Sequence, residues 1–591
     1  MGAAASRKEI EPIVFSVLTG SMRSLVNEMN LTMFRSARSP VITEGRDIGG
    51  ALFDASGRLV AQGDWDLAVF VGMLEFSVKA ILERFGDELA EGDAFIANDP
   101  FVGGTHFNDV GVVRPVFDGG RLVGFVAIVG HWPDVGGQEP GSFVANAREY
   151  FQEGMRIPPT RVVARGVPER AVFDLIEANM RLAADRIADL RAQMGATAVG
   201  ARRLAELGSR YGWGTVERAM AAAIDHSERL MRAEIARMPD GVYRGEDSID
   251  MQSLDHPEPR TVRVEMRKAG ESLVFDFGRS DPQALSASNS TLSATCSAVY
   301  VTVKSLFPKV PMSHGCFAPI EILATPGTIV NAQPPAAISS MAATVYEKVI
   351  GACMRALAEA LPQRSVGCPY NLVNLTIGGS AEGSDYVAYL YSEGGFGARV
   401  DKDGPAGLVS LFGGGAKITP AEVMERRYPI RFSEWALRPD SGGPGRYRGG
   451  VGSRKTFEIT AGTARLSCLG DREKFPPFGV HGGEAGAAQG LRLNAGEGGE
   501  GGEGGENLTL KAVGVELAAG DSVTIVTGGG GGYGDPMDRD PRAVAADVRD
   551  GFVGTEAAAE RYGVVFDGAK LDLAATLLLR ERRRAEPEAG R

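Results

Sequence analysis

The chain has 591 residues, 63 Lys and Arg against 75 Asp and Glu for a net charge of -12, and a hydrophobic content of 44%. That leaves room for several packed domains, excludes a wholly disordered chain, and argues against nucleic acid as the main partner. Glycine is the outlier: its 79 residues are close to twice the roughly 7% average, they follow no G-X-Y period, and 28 of them crowd between Ser441 and Asp540.

The N-terminus, Met1 to Lys8, has no apolar h-region, and no run of 18 uncharged apolar residues follows it, so neither a signal peptide nor a membrane span is expected. Gly2 matches the loose N-myristoylation pattern, which is short enough to arise by chance. Five cysteines (296, 316, 353, 368, 468) make no CxxC pair, which suits a reduced, cytoplasmic protein. Residues 1–165 read as a mixed α/β unit with helices over 13–30 and 74–85 and several hairpins. Residues 166–240 are helical, with Leu175, Ile176, Met180, Ile187 and Leu190 at i+3/i+4 spacing. A middle α/β domain over 241–435 follows, its clearest helix at 339–361. Residues 436–540 form a Gly-rich, β-rich region, and 541–591 a helical tail. The expected fold class is α+β or mixed α/β, multidomain. Within the Gly-rich region, Gly496 to Glu506 reads GEGGEGGEGGE, with no apolar residue to bury, and is expected to be an exposed loop extension.

Two of the six histidines fall in a repeated H-x-x-D pattern, His106 to Asp109 and His131 to Asp134, and the segment between them reads strand, Asp118-Gly119-Gly120 turn, strand. If Asp118 pairs with Arg121, His131 falls opposite Asn108, between His106 and Asp109, and the hairpin mouth gathers two imidazoles and a carboxylate. Pro115 predicts an edge strand or a bulge nearby. An earlier hairpin of the same construction places Asp47 opposite Asp64. Two His and a carboxylate suit a divalent transition metal, with Zn or Mn ahead of Fe. Polar hairpin ends are common, and one HxxD says little; two flanking a single hairpin bring the metal reading level with the structural one. His314 beside Cys316 is a weak nucleophile pair by sequence adjacency alone. The glycine runs Gly413 to Gly415, Gly394 to Gly397 and Gly528 to Gly532 lack P-loop and Rossmann spacing and are expected to be close backbone passages, with no nucleotide-binding residues.

Several segments together resemble the hydantoinase B/oxoprolinase family, whose members are B-type subunits of ATP-dependent hydantoinases, oxoprolinases and lactamases, related to the metal-carrying subunit of acetone carboxylases. They are Arg46-Asp47; Gly57 to Gln62; Asn98 to Asp109; His131 with Asp134 to Gly137 and Pro140 to Ser142; Gln152 to Pro159; Gly200 to Leu204; and Gly528 to Pro536. The resemblance implies that His106, Asp109 and His131 bind the metal with Asp47 near or in the shell. It further implies that an A-type partner, in a hetero-oligomer such as α2β2, uses ATP to phosphorylate the substrate, and that Asp134 or Asp47 acts as base or orients a ligand. The hydrolytic reading is ring opening of a cyclic amide. A ketone carboxylase subunit, with a small third subunit, is the alternative within the family; a non-catalytic scaffold is the alternative outside it. The chain departs from the family at Asp66 to Phe70, where many members carry H-I-P-V-H, and at Trp132, which stands in place of a frequent second histidine. Asp66, Phe70 and Trp132 are therefore expected to contact a more apolar or aromatic substrate.

Overall fold

The computed structural model describes residues 10–494 and 505–585. Gly2 and the 496–504 part of the glycine-glutamate repeat lie outside the described residues. The N-terminal part runs α1 (Pro12–Ser36), α2 (Pro40–Thr43), β1 (Ile48–Asp54), β2 (Leu59–Gln62), α3 (Leu74–Phe85), β3 (Ala94–Ala97), β4 (Asp109–Asp118), β5 (Arg121–His131), β6 (Thr160–Ala164) and β7 (Val167–Pro168). These strands form one sheet in the order β2-β1-β5-β4-β3-β6-β7. β5 lies near its centre, and its run from Val123 to Val129 is buried throughout, as a strand covered on both faces requires.

The helices α4 (Arg170–Asn179), α5 (Ala183–Tyr211) and α6 (Trp213–Ala236) follow. α5 packs on α1 and on β4 and β5, so the helical segment is one wall of the N-terminal core. Close approach depends on missing side chains. A Cβ on Gly200 of α5 would stand 2.3 Å from Met29 Sδ of α1, and one on Gly50 of β1 would stand 2.4 Å from Asn30 Oδ1.

The middle part comprises β8 (Gly241–Ile249), β9 (Arg260–Ala269), β10 (Ser272–Asp276), α7 (Leu292–Leu306), α8 (His314–Phe317), β11 (Ile320–Leu323) and α9 (Val345–Ala360), with sheet order β11-β10-β9-β8 and α9 lying across β8. The helix expected from 339 begins at Val345: residues 339–344 form turns, and Thr344, at φ -130° and ψ -95°, interrupts the helical path. Further on come β12 (Asn374–Ala381), β13 (Ser384–Tyr391), α10 (Ala421–Arg427), β14 (Ile430–Leu437), β15 (Ser453–Ile459), β16 (Thr463–Leu469), β17 (Gly490–Leu493), β18 (Glu506–Leu508), β19 (Val515–Ala518) and β20 (Ser522–Val526). They interleave into two sheets, β13-β12-β16-β19 and β14-β15-β20-β17-β18. The boundary expected at 435/436 thus runs inside these sheets: β12 pairs with β16, and β14 with β15. The tail forms α11 (Pro541–Arg549), α12 (Thr555–Tyr562), the small ribbon β21 (Val565–Asp567) with β22 (Lys570–Asp572), and α13 (Leu573–Ala585).

Buried ion pairs tie the middle sheet to the C-terminal sheets: Asp247 of β8 accepts from both terminal nitrogens of Arg472, at 2.9 and 2.6 Å, and Lys348 of α9 lies 3.1 Å from Asp471. The glycine runs fill the space beside them with backbone alone. Gly531 N–H donates to Cys368 O at 2.8 Å, and a Cβ on Gly531 would stand 1.9 Å from Phe478 O. Gly530, with its N–H on Gly450 O, is walled in the same way by Phe396 O at 2.0 Å. Extended segments from five parts of the chain meet here at backbone contact distance, so the run supplies packing that any side chain would block.

Gly531→Ala is therefore expected to destabilise the protein by at least about 3 kcal/mol, read as a large fall in melting temperature or loss of soluble product. Gly20→Ala, on α1 where a Cβ would meet nothing within 4 Å, should be neutral or stabilising by up to about 1 kcal/mol. Equal effects from the two would refute the packing account.

Candidate metal centre

The site begins with the β4–β5 hairpin. Asp118 pairs with Arg121 as the turn predicts, but a bulge between Val116 and Phe117, next to Pro115, shifts the rest of the ladder by one residue. His131 therefore stands opposite Asp109, not Asn108. On the other side of β5, Ile48 pairs with Gly130, and one step further the His131 N–H donates to Asp47 O at 3.1 Å. Asp47, His131 and Asp109 thus form one row across three neighbouring strands, and paired residues in a sheet present their side chains to the same face. Asp47 does not meet Asp64, which lies at the surface against Arg23 and Asn27.

His106 comes from the loop after β3. The Asn98 amide pins that loop, donating to Phe107 O at 2.7 Å and Met155 O at 2.9 Å while accepting from the Ile157 N–H at 2.6 Å. His106 Nδ1 lies 2.9 Å from Asp109 Oδ2, and His131 Nδ1 lies 3.1 Å from Oδ1, so one carboxylate spans two imidazoles whose centroids are 5.2 Å apart. Thr105 Oγ1 donates to the same carboxylate. All three side chains are at most 3% exposed. One ligand atom from each of His106, Asp109 and His131 falls within 4.8 Å of the others, and His131 Nε2 is buried with no hydrogen-bond partner among the described residues.

Burial opposes charge throughout this cluster, and the partners decide where charge persists. Burial would raise the Asp109 pKa, but His106, followed by the hydrogen bonds from both imidazoles, holds the carboxyl far below the usual range. Burial lowers His106, and the Asp109 charge more than reverses it, for a net rise; in His131 burial prevails and the pKa falls. Asp47 is pushed well up, by burial first and then by the Asp109 charge. Without a cation the row therefore holds Asp109 toward its ionised form and shifts His106 and Asp47 toward their protonated forms. A cation beside the four groups would favour deprotonation of both the imidazole and Asp47, which is the chemistry of a metal-ligand set.

The other expected site residues are placed as follows. Trp132, one step along the strand from His131, points to the opposite face, where it is fully buried and its indole N–H donates to Gln193 of α5 at 3.1 Å. Asp134 is committed to a loop: its oxygens accept from Gly136 N–H at 2.8 Å, Gly141 N–H at 2.7 Å and Arg181 Nη1 at 3.1 Å. Phe70 lies on the same face as Asp47 but is buried over Gly49, where a Cβ would stand 2.8 Å from its own. Asp66 is beside β1 and β2, accepting from Gly50 N–H at 3.0 Å and Gly63 N–H at 3.1 Å. His314 is paired with Glu75 at 2.9 Å, and burial pushes the Cys316 thiol up to about 12, so the two do not form a nucleophile pair.

Two neighbours of the row carry no clear mark in the sequence. Tyr389 of β13 packs on His131 with ring centroids 4.6 Å apart, against Phe143 on its other side. It comes from a distant sheet, and its only sequence signal is the alternation with Tyr391. Glu153 lies close enough to His106 to interact electrostatically, and burial pushes its carboxyl up to about 7. It sits within the Gln152 to Pro159 segment, but nothing local marks it as facing a histidine.

Residues 11–536 match the family described as hydantoinase B/oxoprolinase. The chain is 30% identical to the B component of a putative D-/L-hydantoinase of Pseudomonas sp. strain NS671, covering 97% of this chain and 98% of that protein. It is 33% identical to the beta chain of the caprolactamase of Pseudomonas jessenii, over 96% and 98%. A crystal structure of the ATP-dependent caprolactamase of that organism superposes with a TM-score of 0.89 at 31% identity, covering 97% of this chain and all of that one. A nucleotide-free acetone carboxylase shares the fold, with a TM-score of 0.90 at 21% identity over 97% of this chain and 83% of its own. With one family spanning the chain from α1 to the end of the glycine framework, the protein belongs to the hydantoinase B/oxoprolinase family.

Proposed function

We propose that this chain is the B-type subunit of an ATP-dependent cyclic amidase and opens a hydantoin, oxoproline or lactam ring that an A-type partner has first phosphorylated. The observation that carries the proposal is the buried His106, Asp109 and His131 group with an unpartnered imidazole nitrogen, built by backbone pairing across the sheet in a protein of this family. The likeness to the B component of one such enzyme and the beta chain of another supports an A-type partner, in an assembly such as α2β2. Two imidazoles and one or two carboxylates suit Zn, Mn and Fe; Fe is placed behind the others because the H-x-x-D spacing is one residue longer than that of the usual ferrous facial triad. When bound, such an ion supplies Lewis-acid chemistry: it polarises a carbonyl or phosphoryl oxygen and lowers the pKa of water.

The chain's own residues do the rest. His106 and His131 present their imidazoles, Asp109 orients His131 through Nδ1 and lies 2.9 Å from His106 Nδ1, and Thr105 fixes Asp109 in turn. Asp47, next in the row, completes the oxygen donors or takes a proton from the attacking water. Tyr389 covers the His131 ring and excludes solvent from that side. Asp134, whose lone pairs are spent on its loop, is placed outside the chemistry. Buried, unpaired thiols at all five cysteines suit the reducing cytoplasm, and no helix among the described residues is long and apolar enough to cross a membrane.

Elemental analysis of the purified protein should find about one transition-metal ion per chain, since the described residues offer one such cluster. His106→Ala and His131→Ala should lose the metal and, in complex with the A-type subunit, the amidase turnover, while keeping the wild-type circular dichroism spectrum. Full activity in a metal-free His106→Ala complex would leave the scaffold reading in its place. Asp134→Asn separates the two carboxylate roles: it should lower stability by about 2–4 kcal/mol yet retain the metal. Loss of the metal with stability unchanged would return Asp134 to the site.

A further inference from the structure

The metal row has one neighbour whose polar end is not spent on the fold. Tyr389 and Tyr391 alternate along β13 with Leu390, which joins the C-terminal core, so both rings turn toward the N-terminal sheet. Tyr391 is tied at its tip, where its hydroxyl meets Gly45 O at 3.1 Å and Lys417 O at 2.5 Å. Tyr389 is tied by its ring instead, with centroids 4.6 Å from His131, 5.7 Å from Phe143 and 5.6 Å from Tyr391. A phenol oxygen lies on the axis about which the ring turns, so these three contacts also fix where the hydroxyl stands.

That hydroxyl donates to no acceptor among the described residues, although it lies near enough to the Asp47 and Asp109 carboxylates to interact with both electrostatically, Asp47 the more strongly. The hydroxyls of Tyr386 and Tyr562 also lack a partner, but they are sealed in the core; that of Tyr389 is not, and the residue keeps 9% exposure. Leaving a donor free costs little where solvent reaches it, and an anionic acceptor that displaces the solvent gains a charge-assisted bond. The fold therefore holds a fixed, open O–H beside the candidate ligands and uses it for nothing else.

We propose that Tyr389 is a substrate-contacting, specificity-determining residue of the metal row, its hydroxyl donating to a phosphoryl oxygen of the activated substrate. The choice of ligand rests on the cyclic-amidase proposal, in which the partner adds a phosphoryl group before the ring reaches this chain; the free donor itself rests on the packing of Tyr389. The phosphoryl group is what distinguishes the activated ring from the resting one. The Asp109 carboxylate repels such an oxygen, and the phenol supplies a donor that offsets the repulsion. Tyr389 thereby lets the row select the phosphorylated ring over the unphosphorylated one.

The test is calorimetric titration of the metal-loaded, full-length chain with inorganic phosphate, together with the rate at which a chelator removes the metal. The wild-type chain should bind phosphate. Tyr389→Phe keeps the ring on His131 and removes only the hydroxyl, so it should bind phosphate about ten- to a hundredfold more weakly while releasing the metal at the wild-type rate. Tyr389→Leu removes the ring as well and should also release the metal faster, which separates the contact from the cover. Phosphate that fails to bind the wild-type chain, or that binds Tyr389→Phe equally well, overturns the proposal and leaves Tyr389 as a cover for His131. If that happens while the complex with the A-type subunit opens cyclic amides, the Tyr389 assignment falls and the amidase function stands. If Tyr389→Phe loses phosphate as expected while the wild-type complex opens no cyclic amide, the function falls and the phosphoryl contact stands.

Discussion

The site depends on the register of three antiparallel strands. β1, β5 and β4 are hydrogen-bonded neighbours, and their pairing sets Asp47, His131 and Asp109 in a single row. Because side chains alternate with a period of two, a slip of one residue in β5 alone would turn His131 toward α5 and bring Trp132 among the carboxylates. The bulge at Val116 and Phe117 is what moves the row into line. It is tolerated there because β3 stops pairing with β4 at Val113, leaving Pro115 and the residues after it free of a second ladder.

The same alternation separates the working face from the supporting one. On the supporting face Gly50, Gly130 and Trp132 meet α1 and α5, and Gln193 joins the layers by accepting from the Trp132 indole and donating to Val110 O. On the opposite face the row of Asp47, His131 and Asp109 sits at the end of the sheet, and Tyr389 from β13 closes over His131. The N-terminal sheet therefore supplies His131 and Asp109, while a strand more than 250 residues downstream supplies part of their cover. The glycine framework belongs to this second contribution: by letting backbones pass at contact distance it draws the 367–368, 395–397, 441–450, 478–484 and 528–532 segments together beneath the sheets that carry Tyr389.

The row also shows how packing and charge are reconciled in a buried polar site. Four titratable groups share a volume from which water is excluded, and Asp109 keeps its carboxylate charge because two imidazoles and Thr105 attend it. Asp47 has no comparable partner among the described residues, and burial and then the Asp109 charge push its pKa well up. Such a constellation is costly in a fold unless a cation or proton completes it. The clamps around it, Asn98 on the His106 loop and Asp134 on the next, keep the groups from relaxing apart.

Much of this was legible in the chain. The α1 and α3 helices, the β4–β5 hairpin, the paired HxxD motifs and the family segments all follow from local pattern, because turn chemistry and hydrophobic periodicity act over a few residues. Local pattern could not supply the bulge that brings His131 opposite Asp109, or the partner strand that sets Asp47 beside them, since these depend on where β3 begins to pair with β4 and on β1 joining β5. Nor could it show that Trp132 faces a helix, that Asp134 clamps a loop, or that Tyr389 and Glu153 border the histidines. The sequence by itself determined which residue types could hold a metal and on which hairpin. Tertiary structure alone decided which of them meet, because a side chain's face and neighbours are set by strand register and by packing between elements hundreds of residues apart.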